Sequence, residues 1–430
     1  MKHLPLPTAR QEEWADLELG VIIHQVMDAY HPDIPFSESS VSTARMPAES
    51  FAPDAQSTDQ WLACAADMGA KYAVLVANHS TGFSLWPTRA NDYSVAHSAY
   101  PGDIVAEFIA FCRKYGVRPG LYYSTVCNAF YGLHNSQKID YLSESYQAYV
   151  QIVNRQLTEL WSQHGELFEI WFDGGVVPKV LGGPDVSALL QKYQPGAVCF
   201  QGPSGHSHNL RWIGNENGLA PMDCWSTVCT DSTGFGDDDR AADVGQGDPD
   251  GDHWIPAETD MANRRQSAFG GGWFWAENED ALVYPAEELM DAYLTSVGRN
   301  SNLLLGMCID RHGRFPEADA RQFARFGEMV RGLYRDPAGS CRGTGTAFEV
   351  APDAPQPIRH IVLAEDIHYG QRVRRFHLEL DTPEGTERFF EARSIGHKRI
   401  IPVNRSVRAA RLIVDEAADT PILREMTLYR

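Results

Sequence analysis

Short apolar runs alternate with amphipathic stretches through the first two-thirds of the chain. Gly20–His24 (GVIIH), Lys71–Asn78 (KYAVLVAN), Arg118–Ser124, Glu169–Asp173 (EIWFD) and Ala197–Gln201 (AVCFQ) have the length and character of buried strands. Between them, Thr58–Gly69, Asp103–Gly116 and Ser143–His164 carry apolar residues at helical spacing, and the first two close on glycine. Arg211–Gly218 with Met222–Thr227 supplies a sixth strand region, Phe269–Trp275 (FGGGWFW) a seventh, and Asn302–Ile309 an eighth behind the helix Pro285–Val297. Strand and helix alternating about eight times predicts an α/β fold, a (β/α)8-like barrel. After the helix Glu317–Tyr334 the period changes. Pro337-Ala338-Gly339-Ser340 reads as a linker. Short alternating runs follow at Thr346–Val350, Ile358–Ala364, Val373–Leu380, Glu387–Ser394, Lys398–Val403, Ala409–Val414 and Met426–Tyr429. They predict an all-β sandwich. The division is a barrel domain over residues 1–336 and a C-terminal β-sandwich domain over 337–430, for which a structural role is favoured over carbohydrate docking.

The polar residues within this pattern gather at one end. His24, His79, Tyr122, Asp173 and Gln201 all stand at or near strand C-termini, where a barrel of this kind builds its site. Each alone fits a satisfied core position; their recurrence at successive strands argues for a shared pocket. Asp173 stands out because an apolar run delivers it and Gly174-Gly175 leave open space beside it. The best second carboxylate is Glu216, in Arg211-Trp-Ile-Gly-Asn-Glu216-Asn-Gly. Two carboxyl groups in different environments are the minimum for glycoside hydrolysis, one ionised as nucleophile and the other protonated as acid. Tryptophans 171, 212, 225, 254, 273 and 275 could stack on the apolar faces of sugar rings. Trp212 and Trp273 fit the core equally well.

Composition narrows the classes. Lys+Arg 37 against Asp+Glu 57 gives a net charge of -20, which disfavours nucleic acid and anionic membrane as partners. Met1–Pro7 has no apolar signal region, and no run of about 18 apolar residues occurs, so the expected location is cytoplasmic. Eight cysteines are scattered with no CxxC pair, as buried apolar residues in a reducing compartment would be. Asp231–Asp252 is an Asp/Gly-rich loop whose spacing does not match a calcium loop; a solvated acidic loop is the favoured reading, with a lid or a cation site as alternatives.

Several ordered segments resemble the α-L-fucosidases of glycoside hydrolase family 29 over almost the full length. They are Gly20–His24, Phe51-Ala-Pro-Asp54 through Trp61, Lys71–Trp86 (KYAVLVANHSTGFSLW), Gly102–Ser124, Trp171-Phe-Asp173-Gly, and Asn302-Leu-Leu-Leu with Asp310 and Gly313. Arg211–Glu216, Cys224-Trp-Ser-Thr, Trp254–Glu258, Gly272–Trp275, Ile367–Val373 and Ser394–Arg399 resemble the subfamily selective for α-1,3/1,4-linked fucose. The resemblance implies a retaining, exo-acting hydrolase of fucosylated oligosaccharides with no metal or organic cofactor. It makes Asp173 the nucleophile and Glu216 the acid/base. It places His24, His79, Ser80, Trp86, Tyr122, Trp171, Trp225, Trp254, Glu258 and Trp275 on the sugar, and leaves open whether Tyr122 or Tyr123 points inward. Two stretches depart from the family: Gln25-Val26-Met27 follows the first histidine, and its paired histidines are here His79-Ser80, flanked by Asn78 and Thr81. That leaves a related glycone such as an α-L-galactoside as an alternative. A non-catalytic carbohydrate-binding protein is the reading from another class.

Overall fold

The computed structural model describes residues 4–100, 102–134, 137–230 and 245–430. Eight parallel strands close into a barrel: β1 (Leu19–His24), β2 (Tyr72–Asn78), β3 (Arg118–Tyr123), β4 (Glu169–Trp171), β5 (Val198–Phe200), β6 (Asn209–Trp212), β9 (Ala257–Met261) and β10 (Asn302–Cys308). Between β6 and β9, the short strands β7 (Thr227–Val228) and β8 (His253–Trp254) pair with each other. Helices Thr58–Met68, Ile104–Tyr115, Glu144–Gln163 and Ala286–Ser296 pack outside. The first three begin where Ser57, Asp103 and Ser143 accept a backbone N–H from the first turn.

Strand period divides the side chains between two cores. Val21, Leu75, Leu121 and Leu305 pack outward with the helix layer. Ile22, Tyr72, Val74, Val76, Tyr122, Trp171, Phe200 and Leu304 fill the barrel interior. The interior is a packed core, and only its C-terminal rim is open for chemistry.

The structure relocates two expected strands and removes a linker. The seventh barrel strand is Ala257–Met261, whose inward positions Glu258 and Asp260 are acidic and hide it from a search for apolar runs. Phe269–Trp275 holds a 3₁₀ turn, because Gly270, Gly271 and Gly272 take φ of 58°, 70° and 90° and cannot extend. The sixth strand ends at Trp212, and the chain beyond it is a loop. Pro337–Thr344 is strand β11, a mostly exposed edge strand that carries no apolar run.

Seven further strands complete the C-terminal part: β12 (Ala347–Val350), β13 (Gln356–Glu365), β14 (Val373–Thr382), β15 (Gly385–Ala392), β16 (Arg399–Val407), β17 (Ala409–Ala417) and β18 (Ile422–Tyr429). They form two antiparallel sheets, ordered β11-β18-β13-β16 and β12-β17-β14-β15, closed on a core that includes Ile361, Leu363, Phe376, Leu378, Leu412 and Met426. Polar contacts tie this sandwich to the barrel. Asp16 accepts from Arg424 at 2.9 Å and lies 2.7 Å from His397 Nε2, Lys398 pairs with Glu18, and Gln371 Oε1 accepts from Ser226 N at 3.0 Å. Cys64, Cys112, Cys199, Cys224, Cys308 and Cys341 form no disulfide. No helix of the described residues is long and apolar enough to cross a membrane.

Candidate active site

Asp173 lies just past β4, at the rim. Glu169 and Trp171 occupy the inward positions of that strand, so the two-residue period brings Asp173 to the same face. Gly174 and Gly175 follow with φ of 71° and 77°, a turn that L side chains rarely adopt. Gln201 Oε1 pins the turn by accepting from Gly174 N at 3.0 Å. The Tyr122 hydroxyl donates to Asp173 Oδ2 at 3.0 Å. This decides between the two tyrosines. Tyr123 faces outward and donates to Gln156 at 2.5 Å.

Four rings on successive strands line one wall. Phe200 stacks on Trp171 (3.8 Å, 3°), Trp171 on Tyr122 (5.4 Å, 17°), and Tyr122 on His79 (5.7 Å, 16°). His24, at the end of β1, lies 6.0 Å from His79 and 5.3 Å from Trp273, ring to ring. Phe274 meets His79 edge-on at 5.3 Å, and Phe36, 40% exposed, packs at 5.5 Å from Phe274. Ser80 Oγ lies 3.0 Å from His79 Nδ1, so the serine beside the histidine orients its ring.

Glu216 projects from the loop after β6. Backbone bonds Ile213 N to Glu258 O (3.1 Å) and Gly218 N to Asp260 O (3.1 Å) fasten that loop to β9. The Trp273 indole N–H donates to Glu216 Oε2 at 3.1 Å. Trp273 reaches this position because β10 has glycine at 306; a Cβ there would lie 2.9 Å from the Trp273 ring.

The electrostatics separate the groups. Desolvation by the enclosing rim raises the Asp173 carboxyl above its ordinary range; the Tyr122 hydrogen bond opposes this and the Glu216 charge adds to it. His24 is lowered to about 3 by burial and by His79, and His79 to about 4 by burial. Both imidazoles are therefore neutral at physiological pH, suited to exchange hydrogen bonds with hydroxyls and not to carry charge.

His24, His79, Ser80, Tyr122, Trp171 and Asp173 are thus brought together, with Glu216 linked to them through Trp273. Trp275 is half-buried, two residues beyond Trp273. Four residues expected at the sugar lie elsewhere. Trp86 is buried against the outer helix layer and donates to Glu159 at 3.0 Å. Trp225 is buried beneath the Arg374 guanidinium of the sandwich, 5.0 Å above its ring. Trp254 precedes β9 and so sits at the opposite end of the barrel, where its carbonyl accepts from Gln11. Glu258 lies inside the barrel below the rim, fully buried. Asp260, unexpected from sequence, stands two positions nearer the rim on the same face, 4% exposed, and accepts from Trp212 Nε1 at 2.8 Å. Its signal was the alternation Glu258-Thr-Asp260. Of the acidic loop, 231–244 lie outside the described residues.

The sequence profile described as Alpha-L-fucosidase matches residues 7–332. Alpha-L-fucosidase 1 of Arabidopsis thaliana is 30% identical over 99% of this chain and 88% of its own length. The chain belongs to the α-L-fucosidase family. As a member of that family it is a glycoside hydrolase. The same architecture recurs in a Bacteroides thetaiotaomicron crystal structure provisionally named an alpha-L-fucosidase, at 30% identity, TM-score 0.92 and complete coverage of both chains. A glycoside hydrolase 29 family member from an unknown rumen bacterium superposes with TM-score 0.83 at 26% identity, over 99% of this fucosidase-family chain and 77% of that one.

Proposed function

We propose that this protein is a retaining exo-α-L-fucosidase acting on α-1,3/1,4-linked fucose at the ends of oligosaccharides. One observation carries the reading: a chain of contacts at one rim runs from Asp173 through Tyr122, His79, His24 and Trp273 to Glu216. Ionised Asp173 attacks the anomeric carbon as protonated Glu216 gives its proton to the leaving oxygen. Glu216 then deprotonates water, which releases the sugar from Asp173 with net retention. The Tyr122 O–H favours the ionised nucleophile, and the Trp273 N–H fixes the acid/base while leaving its other oxygen free to move the proton. The neutral imidazoles of His24 and His79, with Ser80, bind sugar hydroxyls. The Trp171–Tyr122 wall offers a stacking face.

Kinetics of variants on aryl α-L-fucosides test this. Asp173→Asn should lower kcat/KM by about 1,000-fold or more. Glu216→Gln should cost far less on an activated aryl leaving group than on an oligosaccharide, because only the poor leaving group needs the proton. Equal losses on both substrates would remove Glu216 as the acid. Preference for an α-L-galactoside over the α-L-fucoside would overturn the glycone.

A further inference from the structure

Beneath the pocket, where no ligand reaches, the barrel encloses a second pair of carboxyl groups. Glu169 on β4 and Glu258 on β9 are both fully buried and lie side chain to side chain. Two carboxylates cannot both ionise in contact inside a core, so at least one proton is held between them. The hydrogen bonds decide where it resides. Glu258 Oε1 accepts from the Tyr72 hydroxyl at 2.7 Å, and Oε2 accepts from the Trp171 indole N–H at 2.9 Å. An indole N–H only donates, so the charge belongs on Glu258. Neither oxygen of Glu169 has a described N–H or O–H in bonding geometry. The Trp14 indole N–H faces the pair without reaching that geometry.

We propose that Glu169 carries a proton and donates it in a hydrogen bond to ionised Glu258, and that this pair is a positioning device for the nucleophile. Glu258 holds Trp171. Trp171 stacks on Tyr122, and Tyr122 holds Asp173. The pair therefore acts on the reaction through two rings and touches no substrate. Burial of both acids and their mutual repulsion raise Glu169 well above the ordinary carboxyl range, and burial raises Glu258. The titratable groups nearest the pair are Tyr72 on β2 and Asp260 on β9 in the interior, with Cys199 on the outer face of β5. Tyr72 and Cys199 are themselves pushed up by burial, so both are neutral in the range where the pair titrates. Asp260 is also raised and does not compensate the pair's charge.

The two acids are chemically alike, yet their amide variants should behave in opposite ways. In Glu169→Gln the amide N–H replaces the donated proton. In Glu258→Gln an amide N–H must face either the Tyr72 hydroxyl or the Trp171 N–H. On an aryl α-L-fucoside, Glu169→Gln should keep kcat/KM within about threefold, whereas Glu258→Gln should lose about tenfold or more, as expected when a buried donor is left unmatched.

A second readout does not need catalysis. The folded state keeps a proton that unfolded glutamates release near their ordinary pKa of about 4.3. The stabilisation is complete below that value and declines as pH rises toward the raised pKa of the pair. The wild-type melting temperature should therefore fall relative to that of Glu169→Gln between about pH 5 and about pH 8. If Glu258→Gln does not fold, Tyr72→Phe replaces it: with one donor to the anion removed, the wild-type decline should move to higher pH. The inference rests on Asp173 being the nucleophile only for its kinetic arm. A wild type inactive on fucosides would defeat that reading and leave the melting curves to judge the pair. Equal loss in the two amide variants, or parallel melting curves for wild type and Glu169→Gln, would overturn the inference.

Discussion

At the scale of single residues, the site works by assigning each polar group one state. Asp173 is exposed at the rim, where desolvation by its neighbours raises its carboxyl and the Tyr122 hydrogen bond favours the ionised form. His24 and His79 are kept neutral by burial. With values of about 3 and about 4, neither gains a proton until well below the ordinary histidine range. Fucose binding to the Asp173→Asn variant, measured by calorimetry, should then show no change between about pH 5.5 and about pH 8 that His79→Asn or His24→Asn removes. A binding inflection near pH 6.5 that disappears with either histidine would contradict the neutral assignment. Much of this was legible beforehand. Asp173 could be read because an apolar run ends in it, and Glu216 because it sits among Gly and Asn after an apolar pair. The choice of Tyr122 over Tyr123 could not, since a strand's period says that neighbours face opposite ways without saying which faces in. The positions of Trp225 and Trp254 are hidden for a related reason: an aromatic next to a strand does not reveal at which end of the barrel it lies.

At the scale of elements, the barrel lends the site its precision through β9 and β10. β9 anchors the Glu216 loop by two backbone bonds and contributes Glu258 and Asp260 inward. β10 contributes an absence, the missing side chain of Gly306, into which the Trp273 ring fits. A Cβ there would also lie 3.1 Å from the backbone at Ala262 and Asn263, so the ring would have to move. Gly306→Ala should therefore displace Trp273 from Glu216 and lower kcat/KM on oligosaccharides by about tenfold or more. The melting temperature should change little by comparison; a large fall in stability with activity per folded molecule intact would show that the glycine serves packing alone. Five barrel strands, β1 to β5, and the β10 strand were visible as apolar runs. β9 was not, because its inner face carries acids in place of apolar residues, and the FGGGWFW stretch drew the prediction away. Polarity inside the barrel is what concealed the strand.

At the scale of the whole molecule, a barrel and a sandwich share a polar seam. Asp16, Glu18, Asn300 and Ser226 on the barrel side meet His397, Lys398, Arg424 and Gln371 on the other. The His397 and Arg424 contacts lower Asp16 to about 2, so that carboxylate keeps its charge through any working pH. Trp225 and Trp254, expected on the sugar, are buried on the barrel side of this seam. The edge strand β11 reads as a linker in the sequence because exposure removes the apolar signal that marks a strand. The fold class was nonetheless plain from the change of period after residue 334, and the Bacteroides thetaiotaomicron structure shares it over both whole chains. The central proposal is that Asp173 is the group that bonds to the sugar. Mass spectrometry of the protein treated with a 2-deoxy-2-fluoro-L-fucosyl fluoride tests that most directly. The account predicts one fluorofucosyl unit per chain, on the peptide containing Trp171-Phe172-Asp173, and no label in Asp173→Asn. A label on Glu216 or any other residue, or turnover of the reagent with no covalent adduct, would contradict it.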